Sequence, residues 1–218
     1  MYDRGEGGLL RDFLTAFVLA GGKSTRMGAE KAFVVFEGRT LLERTLESAR
    51  AVTSDVRVVG DAAKFARFAP VVEDVFRECG PLGGIHAALL ASRAELNFML
   101  AVDVPFASPA LFEFLIARAK NSEALVTVAR VDGRFQPLCA VYRRGFADVA
   151  EIALRAGKYR IGGLFETGRT QVIEEAELAD VGFSPTMFRN LNTPEELSAA
   201  HTEETIAGIL RGEERRSG

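Results

Sequence analysis

Tryptophan is absent from this 218-residue chain, cysteine and histidine occur only twice each, and the formal net charge is −3. Each scarcity excludes something. Cys79 and Cys139 supply neither a disulfide framework nor a Cys-x-x-Cys metal spacing, so a reducing cytoplasm is the expected compartment. His86 and His201 have no evident dyad partner, which argues for structural or solvated roles. The near-neutral balance, with a pI of about 5.6, provides no global basic field, so neither nucleic acid nor a membrane is expected as a partner. No uninterrupted apolar run reaches the roughly 20 residues of a membrane-spanning helix. Phe13 to Ala20 imitates the core of a signal peptide, but Asp3, Glu6 and Asp12 precede it, and cleavage after it would remove the glycine-rich turn that follows. Two common phosphate-binding frames are missing as well. Gly28 is followed by Ala29-Glu30 rather than by the Lys-Ser/Thr of a P-loop, and Gly21-Gly22-Lys23 lacks the alternating glycine of a dinucleotide fingerprint.

What is present is a cationic turn after a buried strand. Ala16 to Ala20 is continuously apolar, as a parallel strand covered on both faces requires. Gly21 and Gly22 let the backbone turn sharply and bring its N–H groups close to phosphate oxygens. Lys23, Arg26 and Lys31 then place positive charge within reach of a polyphosphate. The whole stretch from Leu19 to Lys31 reads as a cradle for nucleotide phosphates.

Beyond it, strand and helix patterns alternate. A helix is predicted from about Thr40 to Ala51, with Leu41, Leu42, Thr45, Leu46 and Ala49 on its apolar face. Val56 to Val59 is the next strand, followed by a short helix near Ala62 to Phe68 and a short strand over Pro70 to Asp74. Gly80 opens a helix running to about Ser92, and the strand Phe98 to Val102 ends at Asp103. Ser108-Pro109 starts a further helix, with an N-cap followed by a proline at the first helical position. Ala124 to Arg130 and Phe135 to Tyr142, joined at Asp132-Gly133, suggest an antiparallel excursion at the sheet edge. A helix over Phe146 to Ala156, a strand near Gln171 to Ile173, and a strand end at Asn190-Leu191-Asn192 leading to a helix capped by Thr193 and Glu196 complete the pattern. These features predict an α/β fold with a mainly parallel sheet covered on both faces, forming a single domain over residues 12–200, with frayed ends at 1–11 and 212–218.

Asp103 is the predicted metal ligand. It ends a buried strand, where ligand sites of open α/β sheets gather, and a single hard carboxylate beside substrate phosphates suits Mg²⁺. Asp74, at the end of its own short strand, is the second acidic candidate. Gly83 and Gly84 start the following helix, where they either admit a ligand to the backbone or serve close packing.

Taken together, L-A-G-G-x-S-x-R-M-G-x-x-K at Leu19 to Lys31, Asp74 to Gly84, Val102 to Pro105, Gln136-Pro137-Leu138 and the ending N-x-N-T-P-E-E-L at Asn190 to Leu197 resemble the molybdenum cofactor guanylyltransferases. The resemblance runs from about Phe17 to Ala199. It implies a Rossmann-like three-layer nucleotidyltransferase fold and synthesis of molybdopterin guanine dinucleotide from GTP and molybdenum-loaded molybdopterin. It also implies Mg²⁺ as cofactor, and cofactor insertion factors or molybdoenzyme acceptors as downstream partners. Carried over by position, Leu19, Ala20, Gly21, Gly22, Lys31, Asp74, Gly83 and Asp103 would serve the nucleotide, Lys31, Arg26 and Asp103 the catalytic step, Asp103 the metal, and Arg160, Asn190 and Asn192 the pterin. Glu30 departs from the family's frequent Asp, and Gly60 from an Asn contact sometimes found there. Three other readings remain open at this point: a cytidylyltransferase on the same pterin, which usually shows L-A-A-G; a sugar-phosphate nucleotidyltransferase, against which the Asn190 to Leu197 ending argues; and a non-catalytic nucleotide-binding regulator.

Overall fold

The computed structural model describes residues 13–21, 30–165, 169–193 and 195–199. Its frame is a seven-stranded sheet built around β1 (Leu14–Leu19), whose six residues are all buried, as the unbroken apolar run predicts. β1 pairs in parallel with β4 (Val56–Val59) on one side and β6 (Leu96–Ala101) on the other, and β5 (Val71–Val72) extends the β4 edge. On the far side come β8 (Arg134–Arg143), β7 (Val126–Val131) and β9 (Thr170–Glu174), giving the order β5-β4-β1-β6-β8-β7-β9. β8 alone runs antiparallel to its neighbours, and β9 closes that edge in parallel with β7. A small separate hairpin, β2 (Val35–Phe36) and β3 (Arg39–Thr40), turns through Glu37 and Gly38 at φ 49° and 77°. Positive φ at both turn residues matches the twist that a two-residue hairpin needs.

Helices cover both faces. Leu42, Leu46 and Ala49 of α1 (Leu41–Arg50) and Leu111, Phe112 and Leu115 of α4 (Pro109–Lys120) pack with Ala16 and Val18 on one side. Leu82, Ile85 and Leu89 of α3 (Gly80–Ala91) and Phe146, Ala150 and Leu154 of α5 (Phe146–Arg155) pack with Phe17 and Leu19 on the other. Alternate residues of β1 thus feed opposite cores, the direct result of its two-residue side-chain period. α1 starts with a complete capping box between Thr40 and Glu43. Shorter helices α2 (Ala62–Phe65), α6 (Gly162–Phe165) and α7 (Glu175–Asp180) fill the connections.

Two local expectations change. Residues 190–192 form no strand; Leu191 N–H donates to the Asp103 carbonyl just past the end of β6, and its side chain is buried with Phe36 and Leu41. The strand expected near Gln171 to Ile173 is present as β9, but it is followed by α7, a six-residue acidic helix with no sequence period long enough to announce it.

Candidate active site

Parallel pairing brings the carboxyl ends of β1, β4, β5 and β6 to one edge, and the chain leaves that edge at Ala20-Gly21, Gly60, Glu73-Asp74 and Val102-Asp103. β8 runs the other way, so its opening residues come to the same edge. Its Cys139 pairs with Leu100, which leaves Arg134 to Leu138 beyond the paired end of β6.

At the centre of this edge, Lys31 Nζ donates to Asp103 Oδ2 at 2.5 Å and to Asn192 Oδ1 at 2.7 Å. The partners lie 72 and 161 residues away in sequence. Lys31 and Asp103 are largely sheltered, with side chains 16% and 17% exposed. Lys31 begins a 3₁₀ turn, Lys31–Phe33, whose Ala32 is fully buried and fixes the root of the lysine. Asp103 continues from a buried strand, and its backbone carbonyl accepts Leu191 N–H at 2.9 Å. On the other side of Asn192, Glu196 Oε2 accepts the Asn192 and Thr193 N–H groups at 2.6 and 3.2 Å, while Thr193 Oγ1 accepts Glu196 N–H at 3.2 Å. The expected capping box at this helix start is therefore formed, and it also holds Asn192.

Asp74 sits across the β1 end from this cluster. One of its oxygens, Oδ1, is buried without a hydrogen-bond partner among the described residues, and burial pushes its carboxyl above the usual carboxylate range.

Gly83 and Gly84 of α3 sit in close packing. A Cβ at Gly83 would stand 2.6 Å from the Phe76 carbonyl oxygen, and one at Gly84 would crowd Val59, Leu19 and Asp74 Oδ1 at 3.2, 3.3 and 3.4 Å. Both residues are buried, so of the two roles open for Gly83 the structure displays close packing. Gly60 is explained similarly: the Phe65 ring occupies the space its side chain would take, at 2.8 Å. Glu30, longer by one methylene than the aspartate frequent in the family, reaches Lys64 Nζ at 2.9 Å.

Leu19 and Ala20 are buried at the mouth, and Gly21 is exposed with open space where a side chain would be. Arg160 and Asn190 are exposed. Arg160 follows the loop after α5 and is not among the residues that the Lys31 cluster draws together. Gly22 and Arg26 lie outside the described residues, as does Lys23. His86 is on the buried side of α3, edge-on to Phe76 at 5.2 Å, with neither ring nitrogen hydrogen-bonded among the described residues. Burial, only partly opposed by Glu151, holds its pKa below the ordinary histidine value, so His86 belongs to the core.

Sequence reasoning placed Lys31 and Asn192 in separate halves of the site and did not foresee their contact. The second use of Glu196, as an anchor for the Asn192 backbone, was missed too, although its capping signature was visible.

Residues 16–171 match the MobA-like NTP transferase domain. A probable molybdenum cofactor guanylyltransferase of Methanosarcina mazei is 34% identical over 213 residues, covering 90% of this chain and 94% of that protein. The molybdenum cofactor guanylyltransferase of Desulfosudis oleivorans is 33% identical over 192 residues, covering 87% and 95%. Among solved structures, molybdopterin-guanine dinucleotide biosynthesis protein A from Archaeoglobus fulgidus superposes with a TM-score of 0.77 at 26% identity, covering 88% of this chain and 98% of that one. A strand-edge cluster of lysine, aspartate and asparagine in a sheet of this order, with a family match spanning most of its length, places the chain in the MobA-like NTP transferase family of nucleotidyltransferases.

Proposed function

We propose that this chain transfers the guanylyl group of GTP to molybdenum-loaded molybdopterin, with release of pyrophosphate. The observation that carries the reading is the meeting of Lys31, Asp103 and Asn192, from three remote segments, at the edge where the glycine-rich turn leaves β1. A polyanion needs a sheltered cation there, and a metal beside it needs a hard anionic ligand.

The terminal phosphate oxygen of the pterin attacks the α-phosphorus of GTP. A new P–O bond forms there, the bond between the α-phosphorus and the bridging oxygen breaks, and pyrophosphate leaves with the electron pair. A phosphate monoester has its second pKa at about 6, so the nucleophile is already ionised at neutral pH and needs no strong general base. The residues' task is to bring two polyanions together. The Lys31 ammonium, joined by Arg26 of the loop, stabilises charge as it shifts toward the leaving pyrophosphate.

Mg²⁺ fits the donor set. Asp103 offers one hard carboxylate, of which Oδ2 is engaged by the Lys31 ammonium. Among the described residues no group of three or more acidic, histidine or cysteine side chains forms a cage, and Mg²⁺ bound through one or two carboxylates plus substrate phosphates asks for none. Bound there, the ion would screen phosphate repulsion and add Lewis-acid stabilisation of the departing pyrophosphate. Asp74 would meet the nucleotide with its unpartnered oxygen, while Arg160, Asn190 and the Asn192 carboxamide would face the pterin. Leu19-Ala20-Gly21-Gly22 favours GTP over CTP, and the cytoplasm is the fitting compartment. Among the described residues no helix is long and apolar enough to cross a membrane.

Two measurements test this reading. Protection against thermal unfolding by GTP, CTP and ATP in the presence of Mg²⁺ should rank GTP first, and pyrophosphate should appear only when GTP, Mg²⁺ and molybdenum-loaded molybdopterin are all present. CTP protection equal to or greater than that of GTP would select the cytidylyltransferase reading, and binding without pyrophosphate release would select a regulator.

A further inference from the structure

Asn192 has so far been a contact for the acceptor, yet its side-chain oxygen already faces Lys31 Nζ at 2.7 Å. An ammonium group only donates, so the carboxamide atom facing it must be the carbonyl oxygen. That leaves the amide Nδ2, with two N–H donors and no partner among the described residues, for a ligand. Lys31 likewise has three N–H donors, of which Asp103 and Asn192 take two.

The chain around Asn192 is held on both sides. Leu191 is completely buried against Phe36 and Leu41, and its N–H is fixed on the Asp103 carbonyl. Glu196 accepts the next two backbone N–H groups. Asn192 is thus a rigid acceptor presented to a long, flexible lysine, and Asp103, the lysine's other partner, is the residue with a competing claim from a metal. Of the two, Asn192 is the one free to keep Lys31 in place throughout a catalytic cycle.

We infer that Asn192 is a positioning residue for Lys31, so that one carboxamide joins the two halves of the site: its oxygen orders the phosphate-binding lysine and its amide meets the acceptor. The inference rests on the guanylyltransferase reading, because it takes Lys31 to bind the phosphates of GTP. Removing Asn192 should therefore weaken GTP binding even with no acceptor present.

The test is a double-substitution cycle read by calorimetric titration of GTP in Mg²⁺ without pterin, on wild type, Asn192→Ala, Lys31→Ala and the double variant. Asn192→Ala is expected to weaken GTP binding roughly 3- to 10-fold in the wild-type background, the scale of one hydrogen bond, and to have no further effect once Lys31 is alanine. If Asn192→Ala does not fold, Asn192→Ser replaces it, with a smaller loss of the same Lys31-dependent kind. An equal loss in both lysine backgrounds, an unchanged GTP affinity, or tighter GTP binding would each overturn the inference. Failure of wild type to bind GTP at all would instead overturn the guanylyltransferase reading.

Discussion

Replacing Asp103 by Asn separates the chemistry assigned to this residue from its part in folding. The substitution keeps the shape, an oxygen that can still accept from Lys31, and the backbone carbonyl that accepts Leu191 N–H at 2.9 Å. What goes is the negative charge now 2.5 Å from Lys31 Nζ, in a pair about one-sixth exposed. A neutral acceptor in place of a charged one weakens such a hydrogen bond by about 1–2 kcal/mol, and the desolvation relieved by removing the charge offsets part of that. For a chain of this size the melting temperature should therefore fall by roughly 2–8 °C at most. Activity should fall much further. A carboxylate that holds Mg²⁺ where charge develops in the transition state has no substitute in the cluster, and losses on the order of 10² to 10³ in kcat are expected for such a group. Pyrophosphate release at saturating GTP and Mg²⁺, measured beside thermal unfolding of the same preparation, gives both quantities. Turnover within a few-fold of wild type would refute the metal assignment and leave Asp103 as a residue that organises Lys31.

Lys31→Ala should lower pyrophosphate release by a similar factor and also lower the melting temperature, because the largely sheltered Asp103 carboxylate loses its counter-charge; near-normal turnover would shift the role to the loop cations. Gly83→Ala should destabilise the chain by about 1–3 kcal/mol in denaturant titration, since its new methyl meets the Phe76 backbone oxygen rather than a side chain that can move; an unchanged midpoint would mean that the loop before α3 shifts freely. Asp74→Asn should raise the melting temperature at neutral pH while reducing nucleotide use: burial raises the folded carboxyl's pKa, so its cost appears as pH rises through that value, and the gain should vanish in acid. For His86 the sign is opposite, because burial lowers its folded pKa below the ordinary 6.5. The unfolded chain then binds the proton more readily, stability falls as pH drops from about 6.5 by at most about 1.4 kcal/mol per pH unit, and His86→Leu should flatten that acid slope in pH-dependent denaturation.

Much of the fold could be read from local chemistry. The apolar face predicted for α1, from Leu41 through Ala49, is the set of residues that the helix buries, because its spacing matches the helical period and the Thr40 capping box fixes its start. β1 was legible because a strand covered on both faces has to be apolar throughout. Less visible were α7, too short to show a period, and the course of residues 190–192, where a buried Leu191 between two polar neighbours imitates strand alternation. Motif spacing marked Lys31, Asp74, Asp103 and Asn192 one at a time. Their relation to one another depends on how the tail crosses the end of β6, a tertiary fact that no local pattern encodes.

That crossing changes how the site works as a unit. Had Lys31 and Asn192 belonged to independent halves, substitutions in the nucleotide loop and in the tail would add; sharing one ammonium group makes them interdependent. The same contact accounts for the anchoring of the tail by both Leu191 and Glu196, more than a helix start requires. The Lys31 ammonium rests on Asp103, where it neutralises a carboxylate that would otherwise repel an incoming polyanion. A nucleotide arriving with its own cation can relieve Asp103 of the lysine, and Asn192 then keeps the freed ammonium at the phosphate edge instead of letting it swing into solvent. The rigid tail thus gives the one long, mobile cation among the described residues of this cluster a fixed point that does not depend on which ligand is bound.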